Sequence, residues 1–197
     1  LKTAFYQQYT INNLRAKHFA QPMGSAMHDL CMKHCLDLHT PQIPEGINLG
    51  YFEHMGLGTL VDSLSAIKKL VFEEKKLTMQ EVIEACACNF EGKEDVRQLL
   101  LSAPCYGNDD EYADEIARQV DELNVLYGQK YSQELGMHND IRYVPFTSHV
   151  PFGKVVGATP NGRYAWTPLS DGSSASHGAD KTGPTSVLLS NYNSKNY

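Results

Sequence analysis

The chain has 197 residues, 42% of them hydrophobic, and a formal net charge of −6. That length and composition suffice to bury a core as one domain or two small ones, which excludes a chain disordered throughout. The acidic balance excludes a nucleic-acid backbone as partner, because the basic cluster Lys68-Lys69 and Lys75-Lys76 is interleaved with Glu73-Glu74 and reads as a solvated helix face.

No apolar run reaches the ~20 residues of a membrane span, and the first residues, LKTAFYQQYTINNLRAK, lack the apolar core of a secretory signal. The expectation is a soluble, cytoplasmic protein without a membrane partner. Five cysteines at irregular spacing fit a reducing compartment better than a disulfide framework. The chain starts at Leu1 without an initiator methionine and stops in the polar run SNYNSKNY, so both ends read as cuts in a longer polypeptide.

Phe5, Tyr9 and Leu14 predict a helix over 1–21 that Pro22 interrupts. Ser25 is placed to cap a second helix with Met27, Leu30, Cys31 and Leu38 on its apolar side, ending before Pro41. Residues 40–58, with two prolines and four glycines, predict a loop. Thr59 and Asp62 stand at capping-box spacing before a helix whose apolar face is Leu60, Leu64, Ile67 and Val71. A second box, Thr78 with Glu81, opens a helix that buries Val82, Ile83 and Cys86 and stops near Gly92. A short helix follows through Val96 and Leu100. The acidic run NDDEYADE then suits the positive end of a long helix carrying Tyr112, Ile116, Val120, Leu123 and Tyr127 to about Gly136. Beyond it, IRYVPFTSHVPFGKVVG is β-branched and aromatic and predicts short strand pieces, in which alternation puts Thr147 and His149 on one face.

Cys31 and Cys35, one helical turn apart, could supply two metal ligands with His34 and His39 nearby, but cysteine on an amphipathic helix reads better as a small buried hydrophobe. Cys86 and Cys88 point to different faces, Cys105 has no identifiable partner, and none of the five has the neighbours of an activated nucleophile. Glu45, in a Pro-Glu-Gly loop, is either a solvated carboxylate or, if buried, an acid or base with a raised pKa.

Residues 157–184, GATPNGRYAWTPLSDGSSASHGADKTGP, admit neither a helical nor a strand period. So long an irregular stretch is either disordered or functional, and Tyr164, Trp166 and the Pro-Asn-Gly turn favour a fixed loop. The expectation is a tight turn at Asn161-Gly162-Arg163, with Asp171 or Asp180 anchoring backbone amides.

This stretch resembles the Gly-Ala-Thr-Pro-(Asp/Asn)-Gly-Arg … Pro-Leu-(Ala/Ser)-Asp-Gly … Gly-Pro-Thr segment of the glycyl radical enzymes, the pyruvate formate-lyase superfamily. VDSLSAIKKLVFEEKKLT resembles the same family's Ala-Asp-Ser-Leu-Ala-Ala-Ile-Lys-Lys-Leu-Val-Phe. The resemblance implies an α/β fold, a ten-stranded barrel surrounded by helices with two loops meeting inside. One loop carries the cysteine that becomes a thiyl radical, in Gly-Cys-x-Glu; the other carries the radical glycine, in Arg-Val-x-Gly-Tyr. Neither motif stands in these residues, and Val156-Gly157-Ala158 lacks the arginine and the tyrosine. The implied reading is a helix-rich fragment lying between the two loops and inactive alone, 1–136 mainly helical and 137–197 strands with the glycine-rich loop. That loop is read as a rigid wall of a sealed cavity.

Within the superfamily, CMKHCLDLHTPQIPEGINLGYFEHMG departs from the Gly-Gly-Ala-x-Tyr-Asn segment of the diol dehydratases and choline lyase. It resembles the catalytic subunits of 4-hydroxyphenylacetate decarboxylases, as does SNYNSKNY. That resemblance implies radical decarboxylation of 4-hydroxyphenylacetate to p-cresol and CO2. Glu45 is then the candidate acceptor of the phenolic proton, Glu53 the second choice, and Thr147 and His149 are candidates for the substrate pocket. It further implies a glycyl radical on a glycine outside these residues and no dissociable cofactor or metal in this chain. An activating enzyme using S-adenosylmethionine and an iron–sulfur cluster installs the radical. The other implied partners are the remainder of the polypeptide, a small iron–sulfur subunit and further copies in an oligomer, in an anaerobic bacterium. The alternatives are another glycyl radical lyase or dehydratase, acting on choline, a diol or another arylacetate, and a non-catalytic helical interaction domain.

Overall fold

The computed structural model describes residues 2–40, 51–136 and 140–194. They divide into two compact units, Leu1–Glu53 with Leu123–Arg142 and His54–Glu122 with Tyr143–Tyr197. Among the described residues there are nine α-helices and one sheet, in which β1 (Tyr51–His54) pairs with β2 (Asp140–Tyr143). The described residues are thus helix-rich with few strands.

The first unit holds α1 (Lys2–His18), α2 (Pro22–Ala26), α3 (Asp29–His34) and the later part of α7 (Glu111–Leu135). Its core is small: Phe5 is buried with its ring centroid 5.2 Å from that of Tyr131, and Cys31 is buried on α3. The second helix differs from its expectation. Pro22 opens α2 at the first turn, where a missing N–H costs nothing. Ser25 lies inside α2, where its hydroxyl donates to Gln21 O at 2.7 Å and lies 2.9 Å from Asp37 Oδ2, so it caps nothing. The helix is broken at Met27 and His28 and ends at Cys35, which is left-handed with φ 51°, and Met27 is exposed.

In the second unit, α4 (Leu57–Ile67) is the central element and runs on through a π-helical turn at Lys68–Glu73. Its first half buries Leu57 and Val61 against Tyr106 and against Ala113, Ile116 and Ala117 of α7. Its second half and the π turn bury Ala66 and Leu70 with Val82 and Ala85 of α5 (Met79–Ala87), Phe90, and Val96 and Leu100 of α6 (Glu94–Leu101). Of the expected apolar face, Val71 packs against this core and Ile67 is half-buried, whereas Leu60 and Leu64 are exposed within these residues. The Thr78–Glu81 capping box is present in both directions, and α7 ends before Gly136 as its pattern predicts. Ile83, expected inside, is exposed.

The expected strand at TSHVPFG is the helix α8 (His149–Val155). Pro151 sits in its first turn, where proline is tolerated, so the alternation that would align Thr147 with His149 does not apply. The chain continues through the glycine-rich segment into α9 (Pro184–Asn193).

Candidate functional site

The glycine-rich segment is held at every few residues. Thr159 N–H donates to Arg163 O at 3.1 Å and Gly162 N–H to Thr159 O at 3.0 Å, which closes the expected turn; Gly162 has φ +82°, a conformation open to glycine at little cost. Asn161 Oδ1 accepts from Thr159 Oγ1 at 2.7 Å and from Arg163 N at 3.3 Å. The Arg163 guanidinium then spends its fork on backbone carbonyls: Thr167 O at 2.6 Å, Tyr164 O at 3.2 Å, Val156 O at 3.2 Å and Gly157 O at 2.5 Å. Burial pulls its pKa down from the usual arginine range.

The amide anchors are asparagines, not the expected aspartates. Asn89 Oδ1 accepts from Ala165 N at 2.8 Å, and Asn108 Oδ1 accepts from Lys181 N at 2.8 Å and from Thr182 N at 3.3 Å. Asp180 is exposed, and Asp171 Oδ1 is buried with no hydrogen-bond partner among the described residues, 3.4 Å from His149 Nδ1.

The arm from Ser170 to Gly178 lies directly on α4. Thr59 N–H donates to Ser170 Oγ and Ser170 N–H to Thr59 Oγ1, each at 3.0 Å. At Gly58 the backbones meet: a Cβ there would stand 2.6 Å from Ser174 O and 2.8 Å from Ser176 N. Asp62, one helical turn on from Gly58, takes Ser176 Oγ–H at 2.5 Å and Tyr106 N–H at 2.7 Å. It is 2% exposed, and burial raises its carboxyl to about 6 while both hydrogen bonds pull the other way.

Between this arm, α4, α6 and the turn at Asn161 lies a cleft of about 700 Å³, with Asp62, Cys105, Asn161, Arg163, Ser176 and His177 among its lining residues. The Cys105 thiol is pushed up to about 12, by burial first and then by the neighbouring Asp62 carboxylate, so it is no thiolate at neutral pH. Among the described residues no three His, Cys, Asp or Glu side chains are grouped to hold a metal ion.

The sequence-predicted residues are placed as follows. Glu45 lies outside the described residues. Glu53 is exposed on β1 in the first unit. In the second unit Thr147 is exposed before α8, while His149 bonds Phe146 O through Nδ1 at 2.7 Å and its ring lies 5.8 Å from that of His177. Sequence reasoning missed Asp62, Thr59 and Ser170 as long-range ties, having assigned the first two to a local cap. Asp62, the one charged residue in the α4 stretch LGTLVDSLSAI, was the available signal.

Residues 1–153 match the family described as pyruvate formate lyase-like. The chain belongs to this family. It is 81% identical over all 197 residues to the isethionate sulfite-lyase of Oleidesulfovibrio alaskensis, covering 100% of this chain and 24% of that one. Among solved structures it resembles the B12-independent glycerol dehydratase from Clostridium butyricum, with a TM-score of 0.79 and 33% identity over 91% of this chain and 23% of that one. The chain thus spans about a quarter of the length of such family members. Its identity to the 4-hydroxyphenylacetate decarboxylase glycyl radical subunit of Clostridium scatologenes is 35%, in an alignment that covers 71% of this chain and 18% of that one. The expected 4-hydroxyphenylacetate decarboxylation is therefore overturned, and the alternative of another glycyl radical lyase is the better reading.

Proposed function

We propose that these residues form part of a glycyl radical lyase that breaks the carbon–sulfur bond of isethionate. The observation that carries this reading is the 81% identity to an isethionate sulfite-lyase, which runs the whole length of the chain. Isethionate is 2-hydroxyethanesulfonate. Loss of hydrogen sulfite from it leaves acetaldehyde, so atoms and electrons balance without an added oxidant.

The family implies a glycyl radical, installed by a radical S-adenosylmethionine enzyme, and the radical supplies one-electron chemistry when present. The residues here do not fit as its carrier: Val156-Gly157-Ala158 lacks the arginine before and the tyrosine after that mark the family's radical glycine. The glycine and the reactive cysteine belong, in this reading, to polypeptide outside residues 1–197. This chain contributes a wall: Arg163, Asn89, Asn108 and Ser170 hold an irregular backbone rigid, so that water is kept out and a small substrate is confined.

Isethionate has no phenol, so the proton-accepting role inferred for Glu45 or Glu53 has no object in this reaction. Thr147 and His149 remain candidates for the pocket wall, His149 through its place beside Asp171 and His177. The test is anaerobic activation of the full-length enzyme followed by separate supply of isethionate, 4-hydroxyphenylacetate and glycerol. Sulfite and acetaldehyde released in equal amounts from isethionate are expected; turnover of another substrate with none of isethionate would overturn the reading.

A further inference from the structure

A fully buried carboxylate with no cationic partner is costly to keep, and such groups are retained where their bonds fix something that matters. Asp62 meets that description. Among the described residues no positive charge contacts it; it is satisfied by one hydroxyl, Ser176 Oγ, and one backbone amide, Tyr106 N. The titratable and charged groups that share its cleft are Cys105, Arg97, Arg163, Tyr164, His177 and Lys181; Tyr164 donates to Glu94 Oε2 at 3.1 Å, and both arginines are already committed. Arg163 is spent on carbonyls, while Arg97 bonds Gly162 O at 2.9 Å and Glu94 Oε1 at 2.9 Å.

The three segments that Asp62 joins are far apart in sequence. Ser176 lies 114 residues away on the glycine-rich arm and Tyr106 lies 44 away in the turn between α6 and α7. Tyr106 is itself fully buried, and a Cβ on the adjoining Gly107 would stand 2.6 Å from the Cβ of Ala175. The arm is therefore pressed between α4 and the 105–107 turn, with Asp62 as the tie common to both.

We propose that Asp62 is a positioning residue for the lyase reaction: by accepting from Ser176 and Tyr106 together it sets the place of the Ser170–Gly178 arm, and with it the shape of the wall facing the cleft. This rests on the isethionate reading only for the assay. Asparagine is nearly isosteric and can keep both ties, accepting from Tyr106 N through Oδ1 and donating to Ser176 Oγ through Nδ2. Alanine keeps neither.

The test compares D62N, D62A and S176A in the full-length activated enzyme, with kcat expressed per glycyl radical counted by electron paramagnetic resonance, so that loss of folded or activated molecules does not count. The expected result is a kcat per radical within about threefold of wild type for D62N and about tenfold or more below it for D62A, with S176A in between. An unchanged kcat per radical in D62A would overturn the proposal, since Asp62 would then serve folding alone. So would a D62N defect as deep as that of D62A, since the carboxylate would then act chemically. Where D62A yields no folded enzyme, S176A decides: a severalfold drop supports the proposal and wild-type turnover overturns it. If wild-type enzyme releases no sulfite from isethionate, the function reading fails by itself, and amide exchange of residues 170–178 in the unactivated enzyme still judges this one. Faster exchange in S176A, with D62N near wild type, supports the tie; unchanged exchange in S176A overturns it.

Discussion

Thr59 and Ser170 exchange hydrogen bonds between side chain and backbone across 111 residues of sequence, at 3.0 Å in both directions. Thr59 stands in the first turn of α4, where backbone N–H groups have no partner within the helix, so Ser170 caps that helix from the far end of the chain. Both residues are buried. Ser170→Ala leaves the Thr59 N–H without its acceptor and is expected to cost about 1–3 kcal/mol in urea unfolding. Thr59→Ala does the same to the Ser170 N–H, and the double variant is expected to cost less than the two together. Strict additivity would show that the two bonds are not coupled.

Gly58 is a point of backbone contact, not of flexibility. Alanine there would place a Cβ 2.6 Å from Ser174 O and 2.9 Å from Ala175 C, and backbone cannot swing aside as a long side chain can. Gly58→Ala is expected to lower stability by about 2 kcal/mol or more. Gly157→Ala, which meets nothing within 4 Å, is expected to change it by less than about 0.5 kcal/mol. Thermal melting of the two variants side by side checks this.

Burial raises the Asp62 carboxyl from 3.8 to about 6. Between these two values the folded chain holds a proton that the unfolded chain has released, so stability from this group falls as pH rises through the window and levels off above about 6. D62N removes the titration. The difference in unfolding free energy, D62N minus wild type, is expected to grow by ~2 kcal/mol from pH ~4 to pH ~7. Parallel stability curves for the two proteins over that range would contradict the assignment.

Arg163 bonds four carbonyls with one planar fork, a geometry that lysine cannot reproduce. Arg163→Lys keeps the charge and loses the fork. The expected cost is about 2 kcal/mol, with proteolytic cleavage appearing between residues 156 and 167 before any other site. Wild-type resistance to proteolysis would show that the turn at Asn161 holds the segment unaided.

The helices α5 and α7 were legible because their signals are local: the Thr78–Glu81 box closes within one turn, and Glu111 and Asp114 stand in the first turn of α7, at the positive end of its own dipole. The turn at Asn161-Gly162-Arg163 was legible for the same reason. The start of α4 was not, because Thr59 and Asp62, which look like a local cap, are engaged by Ser170, Ser176 and Tyr106. Nor was α8, where β-branched residues and Pro151 imitate a strand while the proline sits in the one helical turn that accepts it. The glycyl radical superfamily was recognisable from the glycine-rich segment and the α4 pattern, whose close backbone packing at Gly58 ties both stretches to one geometry. The substrate was misread because it was inferred from 31–56 and the SNYNSKNY ending, two short stretches, whereas the identity over all 197 residues carries a different answer.

The central claim is that 157–184 is wall and not tether, and amide hydrogen exchange across that segment in the full-length enzyme tests it most directly. The amides of Thr159, Gly162, Ala165, Ser170 and Lys181, each with a named acceptor, are expected to exchange on the timescale of the helical amides of α4. Complete exchange of these amides within seconds, while α4 stays protected, would contradict it.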